Sequence, residues 1–375
     1  MKIPEFFLTN YTGSYHLASF GNNGNKFICS DKPMADCRLS SKAIPNKSLA
    51  TAFANIDLEN TEEILDFCKI YGLPYSAQKC LALRKVLNSQ EDSFSFHLDS
   101  LYLNEMLTEA DYAIHSREAL DDAQYHFWIT EIVDEDIMPL ILFNRCVKLV
   151  RSILNIQNWL LRYEGCPNSI IHALGYLLFF AARGTDYLIP QIASPTLVFA
   201  KKIAPPHSVS QAKLFEQIEK IDSSYCAKLQ SFLTALDEKT IRNIHDYDKG
   251  IITQEQLNII TESEAPAFQS VDREFAQSVI YHIINDGISM STSKISVIDG
   301  VPVPEWHTTY LMNAIYLDLY FSIINADTYK KCLNPQCGKY FSSTDRRADA
   351  VYCSNACASK MGKKGKYGEA ISRSR

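Results

Sequence analysis

Cys332-Leu-Asn-Pro-Gln-Cys337-Gly-Lys-Tyr-Phe341, followed ten residues later by Tyr352-Cys353-Ser-Asn-Ala-Cys357, is the stretch from which this chain is best read. Its spacing is C-x4-C-x15-C-x3-C. Two close pairs of thiols, separated by a hairpin-sized insert, can surround one tetrahedral Zn²⁺. Thiolate sulfur suits this borderline-soft ion, and four sulfurs leave no coordination position for water. Such a site holds a small fold together and does not catalyse. The expected ligands are Cys332, Cys337, Cys353 and Cys357, and the expected cofactor is one structural Zn²⁺.

The residues between the thiols suit that geometry. Pro335 bends the chain inside the first pair, and Gly338 follows Cys337 where a knuckle turns back and positive φ is often needed. Lys339, Tyr340 and Phe341 suit a short strand, and Thr344 to Arg347 a turn. Ser354 or Asn355 is placed to cap a helix that carries Cys357 in its first turn, where the helix N-terminus favours a thiolate. The unit expected is a knuckle, a β-hairpin and a helix, a treble-clef-like arrangement.

Together with Lys331, these residues resemble the CGNR-type zinc finger of bacterial proteins. That finger has a C-x4-C knuckle with Asn-Pro inside it, then an aromatic-Cys-Ser sequence and a final Cys. The likeness covers about 35 of the 375 residues. Many members of the family are described as stress-induced transcriptional regulators, so the resemblance implies zinc and suggests DNA. Where the family continues Gly-Asn-Arg, this chain has Ala358-Ser359-Lys360.

Charge is distributed unevenly around the finger. Lys330 to Arg375 holds eleven Lys/Arg and three Asp/Glu, whereas the rest of the chain holds 26 basic and 40 acidic residues. An acidic body with a basic end suits nucleic-acid contact by that end, or docking of the end on its own body. Arg346 and Arg347 at the hairpin, with Lys360, Lys363, Lys364 and Lys366 on or beyond the helix, are the expected phosphate contacts. Lysine is a flexible point charge, better fitted to phosphate than to base edges.

The remaining chain reads as mainly α: a helical body with a small β-containing N-terminal segment. Residues 1–58 are the β-rich part, with a tight turn at Gly21-Asn-Asn-Gly-Asn25. Residues 59–187 form a helical domain. Asn60 and Glu63 open its first helix as a capping box, Gly72-Leu-Pro74 closes it, and 137–163 is its strongest helical stretch. Four prolines mark 188–208 as a linker or crossover. Residues 209–328 form a second helical region. In it Gly250 breaks the helical pattern of 240–261, and Tyr247 and Lys249 lie on an exposed face. Pro266 opens a helix over 267–285, a hairpin turns at Asp299-Gly300 near 295–303, and a very apolar helix over 306–326 runs straight into the finger. The finger occupies 329–367 and a basic tail 368–375.

Several chemistries are missing their signatures. The chain has no Gly-rich phosphate loop, no His-Glu-x-x-His, no Gly-x-Ser-x-Gly and no zinc-deaminase pattern. A metal-dependent nuclease built on this geometry needs histidines that the segment from Gly338 to Tyr352 lacks. Cys29 and Cys37 have no second close pair and are expected as buried thiols. His115 and His126 are too far apart along a helix to share a metal. The start Met1-Lys-Ile-Pro-Glu lacks the features of a signal peptide, and the longest apolar run, 170–182, is too short for a bilayer. The expectation is a cytoplasmic, non-enzymatic protein with reduced thiols and no membrane contact. It would bind duplex DNA as a transcriptional regulator, with the acidic body for sensing or dimerisation. The alternative is a scaffold or protein-interaction module in which the finger caps the body.

Overall fold

The computed structural model describes residues 5–20, 25–31, 35–40, 48–75, 137–162, 167–181, 219–220, 222–263, 271–288, 291–298, 300–308, 310–324, 329–334, 336–342 and 349–361. The fold is mainly helical, with three small sheets. The helical patterns over 76–87 and 98–129, His115 and His126 among them, and the proline-rich segment 188–208 lie outside the described residues.

The first sheet joins the two ends of the body. Strands β1 (Glu5–Thr12) and β4 (Ala35–Ser40) pair antiparallel, with Phe7 opposite Ser40. On its other side β1 runs parallel to β7 (Val301–Thr308), and β7 pairs antiparallel with β6 (Thr292–Ile298). The order is β4-β1-β7-β6. The β6–β7 hairpin turns between Ile298 and Val301, which face each other, where the sequence placed the turn, and Gly300 has φ +77°. A side chain there would be strained, which is why Asp-Gly serves. The second sheet contains β2 (Tyr15–Phe20), β3 (Asn25–Ser30) and β5 (Ile137–Pro139). Phe20 opposite Asn25 fits a hairpin across the asparagine-glycine segment.

Capping chemistry fixes most helix starts. Helix α1 (Leu49–Ala54) begins at Ser48, whose Oγ accepts from Thr51 N–H. Helix α2 (Thr61–Tyr71) begins at Asn60, whose side chain accepts from the N–H groups of Glu62 and Glu63, and ends at Gly72 with φ +79°. The following helices are α3 (Leu140–Arg162) and α4 (Pro167–Tyr176), which runs into a π turn at Leu177–Ala181. Aspartates cap α5 (Ser223–Ala235) from Asp222 and α6 (Glu238–Asp248) from Asp237. Gly250, φ +73°, separates α6 from α7 (Gln254–Ser263). Helix α8 (Arg273–Gly287) is capped by Asp272, which accepts from Phe275 N–H at 2.8 Å.

Some expectations are corrected. Residues 49–54, inside the segment read as β-rich, are helical because Ser48 supplies a cap. Ile137–Pro139 adds to a sheet before α3 starts, because β3 offers it a pairing edge. The helix read over 267–285 starts instead at Arg273, after the Asp272 cap. Trp306, His307 and Thr308 belong to β7, since β1 and β6 both pair with them, and the apolar helix α9 is Leu311–Ile324. Tyr247 is buried, not exposed.

Two helices carry the core. Every residue of α9 from Leu311 to Leu317 is buried, and α9 packs on α8, α1, β1 and β7. Helix α3 buries Leu142, Phe143, Cys146, Val147, Val150, Ile153 and Leu154 against α4 and α1. Cys29 lies in the same core at 1% exposure. Burial of this apolar surface is the main stabilising term.

A polar knot closes the end of α6. Asp248, 3% exposed, accepts two hydrogen bonds from Arg145 at 3.0 and 2.8 Å and one from Tyr176 Oη at 2.9 Å. Burial raises the Asp248 pKa, but the bonds from Arg145 outweigh it and leave it below the ordinary carboxylate value. Lys148 Nζ donates to the carbonyls of Tyr247 at 2.5 Å and Asp248 at 3.1 Å, and sits 4.6 Å from the Tyr247 ring. It therefore adds a charged donor to the carbonyls at the helix end, where Tyr247 O also accepts from Gly250 N–H at 3.1 Å. Burial lowers the Lys148 pKa from 10.5 to about 8, with Asp248 opposing part of the drop. Between those two values the unfolded chain holds more protons than the folded one, so raising the pH stabilises the fold. Below about 8 the full cost of the buried charge remains. Urea unfolding from neutral pH to about 9.5 is expected to show stability gained by the parent relative to Lys148→Met. Parallel pH profiles for the two chains would show that Lys148 stays charged throughout.

Candidate metal centre

The finger's two strands flank the first pair of thiols. β8 (Tyr329–Lys331) and β9 (Tyr340–Ser342) pair antiparallel, with Lys331 opposite Tyr340. Cys332 N–H donates to Lys339 O at 2.9 Å and extends the ladder to the first thiol. Between the strands the chain reverses around Asn334. Its carbonyl accepts from Cys337 N–H at 2.8 Å and Gly338 N–H at 3.3 Å, and its side chain accepts from Gln336 N–H. Gly338 takes φ +60°, the conformation expected of it. Of the second pair of thiols, Cys357 is carried by helix α10, over 355–361, and Cys353 lies just before the helix starts. Ser354 is its cap: Ser354 Oγ accepts from Cys357 N–H at 3.2 Å. Leu333 N–H donates to Val351 O at 3.0 Å and holds the two halves together. The turn expected at 344–347 lies outside the described residues.

These elements bring Cys332, Cys337, Cys353 and Cys357 together, as the spacing predicts. Their four sulfurs lie within 4.8 Å of one another. Cys337 and Cys353 are 3.5 Å apart, and Cys353 and Cys357 are 3.7 Å apart. Metal–sulfur bonds of ~2.3 Å in a tetrahedron place sulfurs about 3.8 Å apart, so the cluster could hold one metal ion. Cys353 N–H also points at Cys332 Sγ, 3.5 Å away.

The thiols do not titrate alike. Cys357 is lowered to about 6, chiefly by hydrogen bonds from Ser354 and then Asn334. Cys353 is pushed up to about 12 by burial and by its bonds to the other thiols. Cys337 is raised, with burial first. Four sulfurs this close cannot all ionise without a cation among them, which is the electrostatic form of a metal requirement.

The finger is built into the body. Tyr329, Tyr340 and Phe341 are 2%, 9% and 5% exposed, and Tyr329 and Tyr340 belong to the main core. Asn55, just past α1, makes a two-point contact with β9. Its Nδ2 donates to Tyr340 O and its Oδ1 accepts from Tyr340 N–H, each at 2.8 Å. On α9, Asp318 Oδ2 accepts from Ser48 Oγ at 2.9 Å, Ala50 N–H at 2.9 Å and Tyr329 Oη at 3.3 Å. Lys331 N–H donates to Asn158 on α3 at 3.4 Å. These body-side partners have no signature in sequence, since Asn55 and Tyr340 are 285 positions apart. The available signal was three aromatic residues beside the thiols of a unit too small to bury them.

Of the expected phosphate contacts, Lys360 is exposed on α10. Arg346, Arg347, Lys363, Lys364 and Lys366 lie outside the described residues. Among the described residues, no helix is long and apolar enough to cross a membrane. No family model matches the chain, and neither a curated protein nor a solved structure is found similar to it.

The Asn55 contact makes a specific demand on stability. Asn55→Ala leaves the Tyr340 N–H and C=O without their partner, at a cost of about 1–3 kcal/mol for each group that water cannot reach. The expected result is a lower urea midpoint with metal content unchanged. An unchanged midpoint would mean that β9 does not depend on this contact.

Proposed function

We propose that the protein is a non-enzymatic, zinc-stabilised nucleic-acid-binding protein, a DNA-binding regulator whose basic end meets duplex DNA. Zinc is the metal of choice because the donor set is four cysteine sulfurs at tetrahedral spacing. Such a donor set implies a reducing compartment such as the cytoplasm, where thiols persist. The observation that carries the reading is the two-sidedness of the finger. Its hairpin side is buried in the body, whereas α10 keeps Asn355, Ala356, Ser359 and Lys360 exposed. Beyond α10 the sequence adds Lys363, Lys364 and Lys366. The metal would fix the direction in which α10 leaves the body, and the lysines would contact phosphates. The likeness to the CGNR-type finger points the same way.

A second reading rests on the same burial. If the finger serves to cap the helical core, the protein is a scaffold and the basic tail has another partner. Tyr329 and Tyr340, both core residues, favour this reading.

One pair of experiments separates the two. The zinc-loaded full chain and a chain ending at Met361 are titrated with fluorescent random-sequence duplex across a salt series. A chain ending before Tyr329 would be a poor control, because it opens the core. Four lysine contacts would lower affinity about 10²-fold for a fourfold rise in salt. The expected result is salt-sensitive binding by the full chain and little by the shortened one. Absence of binding by both at low salt would remove the DNA reading and leave the cap. In either case a chelator is expected to lower the thermal midpoint of the whole chain, because zinc binding is folding energy and the finger lends side chains to the core. A body transition unmoved by chelation would show that the finger is dispensable to it.

A further inference from the structure

A cavity of about 240 Å³ lies where the body meets the finger. Its walls come from α3, α4, α6 and α7, and Lys331 and Tyr340 of the finger strands complete them. The lining is unusual for the interior of a helical body. Arg151, Asn155, Asn158, Gln254 and Asn258 all face it, together with Lys331, the residue immediately before the first thiol. Among the described residues, Glu262, on an exposed part of α7, is the only carboxylate in the lining, and its charge acts favourably on Lys331.

The two cations are only partly used by the fold, although Arg151 also hydrogen-bonds the Tyr247 side chain. Arg151 donates through Nε to Ala54 O at 2.7 Å and through Nη2 to Ile56 O, so its charge ends α1 without meeting a carboxylate. Lys331 engages the body through its backbone N–H, which donates to Asn158. Among the described residues neither Arg151 nor Lys331 forms an ion pair. Two cationic side chains lining one cavity repel each other, and an anion placed between them would relieve that repulsion. The amides around them offer both donors and acceptors, enough to orient polar substituents. The volume is below the ~300–1,000 Å³ typical of drug-sized sites, so the occupant is small.

We infer that this cavity binds a small organic acid, whose carboxylate or phosphate group lies between Arg151 and Lys331 and whose other polar atoms meet the amides of Asn155, Gln254 and Asn258. The ligand touches α3 and β8 together. Its presence therefore ties the body to the strand that leads into Cys332, and its loss loosens that junction. The site stands on the cavity alone and does not depend on nucleic-acid binding.

The test uses the zinc-loaded full chain and three probes at millimolar concentration: glutarate, benzoate and glycerol phosphate. The expected result is a saturable rise of several degrees in thermal midpoint with at least one of them. Glycerol phosphate acting alone would mark a phosphate as the acid group, and a dicarboxylate or aromatic acid acting alone would mark a carboxylate. The rise should vanish in Asn155→Leu and in Lys331→Met. Without any probe, Lys331→Met should keep one zinc per chain and melt at or above the parent temperature, because a binding lysine destabilises the empty site. No rise with any probe, or an equal rise in both variants, would overturn the inference. So would a Lys331→Met chain that holds zinc yet melts several degrees lower, as loss of a purely structural lysine would produce.

Discussion

Asp318 is a carboxylate on the most apolar of the described helices, and two other parts of the chain, the start of α1 and β8, depend on it. Its Oδ2 accepts from Ser48 Oγ, from Ala50 N–H and from the hydroxyl of Tyr329. The first two contacts place negative charge at the start of α1, where a helix leaves N–H groups without partners. The third reaches the first residue of β8. A charge at this depth is tolerable because hydrogen-bond donors surround it. One side chain thus sets the position of α1 against α9 and seats the strand that delivers Cys332. Ser48, Asp318 and Tyr329 cannot change independently of one another: removing one donor leaves a partly buried carboxylate short of a partner.

The same connection ties the thiol cluster to the helical core. A finger of this size has too little interior to bury Tyr329, Tyr340 and Phe341 for itself. It buries them in the body, and Asn55 satisfies the backbone of Tyr340 as a neighbouring strand would. The four sulfurs hold the other side of the hairpin to α10. The hairpin therefore lies between an apolar interface and the thiol cluster, and neither alone fixes its orientation.

What could be read in the sequence follows from the range of the interactions involved. The four thiols, the Asn60 cap, the Gly72 and Gly250 stops and the Asp299-Gly300 turn are local chemistry, set by a few adjacent residues. All are found as expected. Apolar content alone misassigned Trp306 to Thr308. They read as the start of a long helix, but β1, some 300 residues earlier, offers them a parallel partner. Tyr247 read as exposed because its neighbours are acidic. It is buried because Arg145 and Lys148, a hundred positions away, neutralise Asp248 and satisfy the helix end. Asn55, Arg151 and Asn158 looked like ordinary polar residues beside or on helices, and nothing in their spacing says that the finger docks there. The thiol cluster was legible because residues that could share one metal ion are of one type and closely spaced in pairs. The junction was not, because an asparagine side chain or a backbone N–H can be supplied from anywhere in the chain.

Position explains why polar residues gather at that junction. Apolar packing between the finger and α3 would have been simpler and more stable, and the aromatic residues of β8 and β9 already supply some of it. The fold instead leaves a polar space between the finger strands, β8 on α3 and β9 on α1, and the pair of helices α4 and α6. Buried polar surface of this kind costs stability unless something satisfies it. The protein's own backbone takes up part of Arg151, and Lys331 forms no salt bridge among the described residues, although the Glu262 charge acts on it. A lysine held there, one residue from the thiol cluster, loses hydration that the Glu262 charge offsets only in part. It is simply explained if the junction between body and finger is a place where an acid binds.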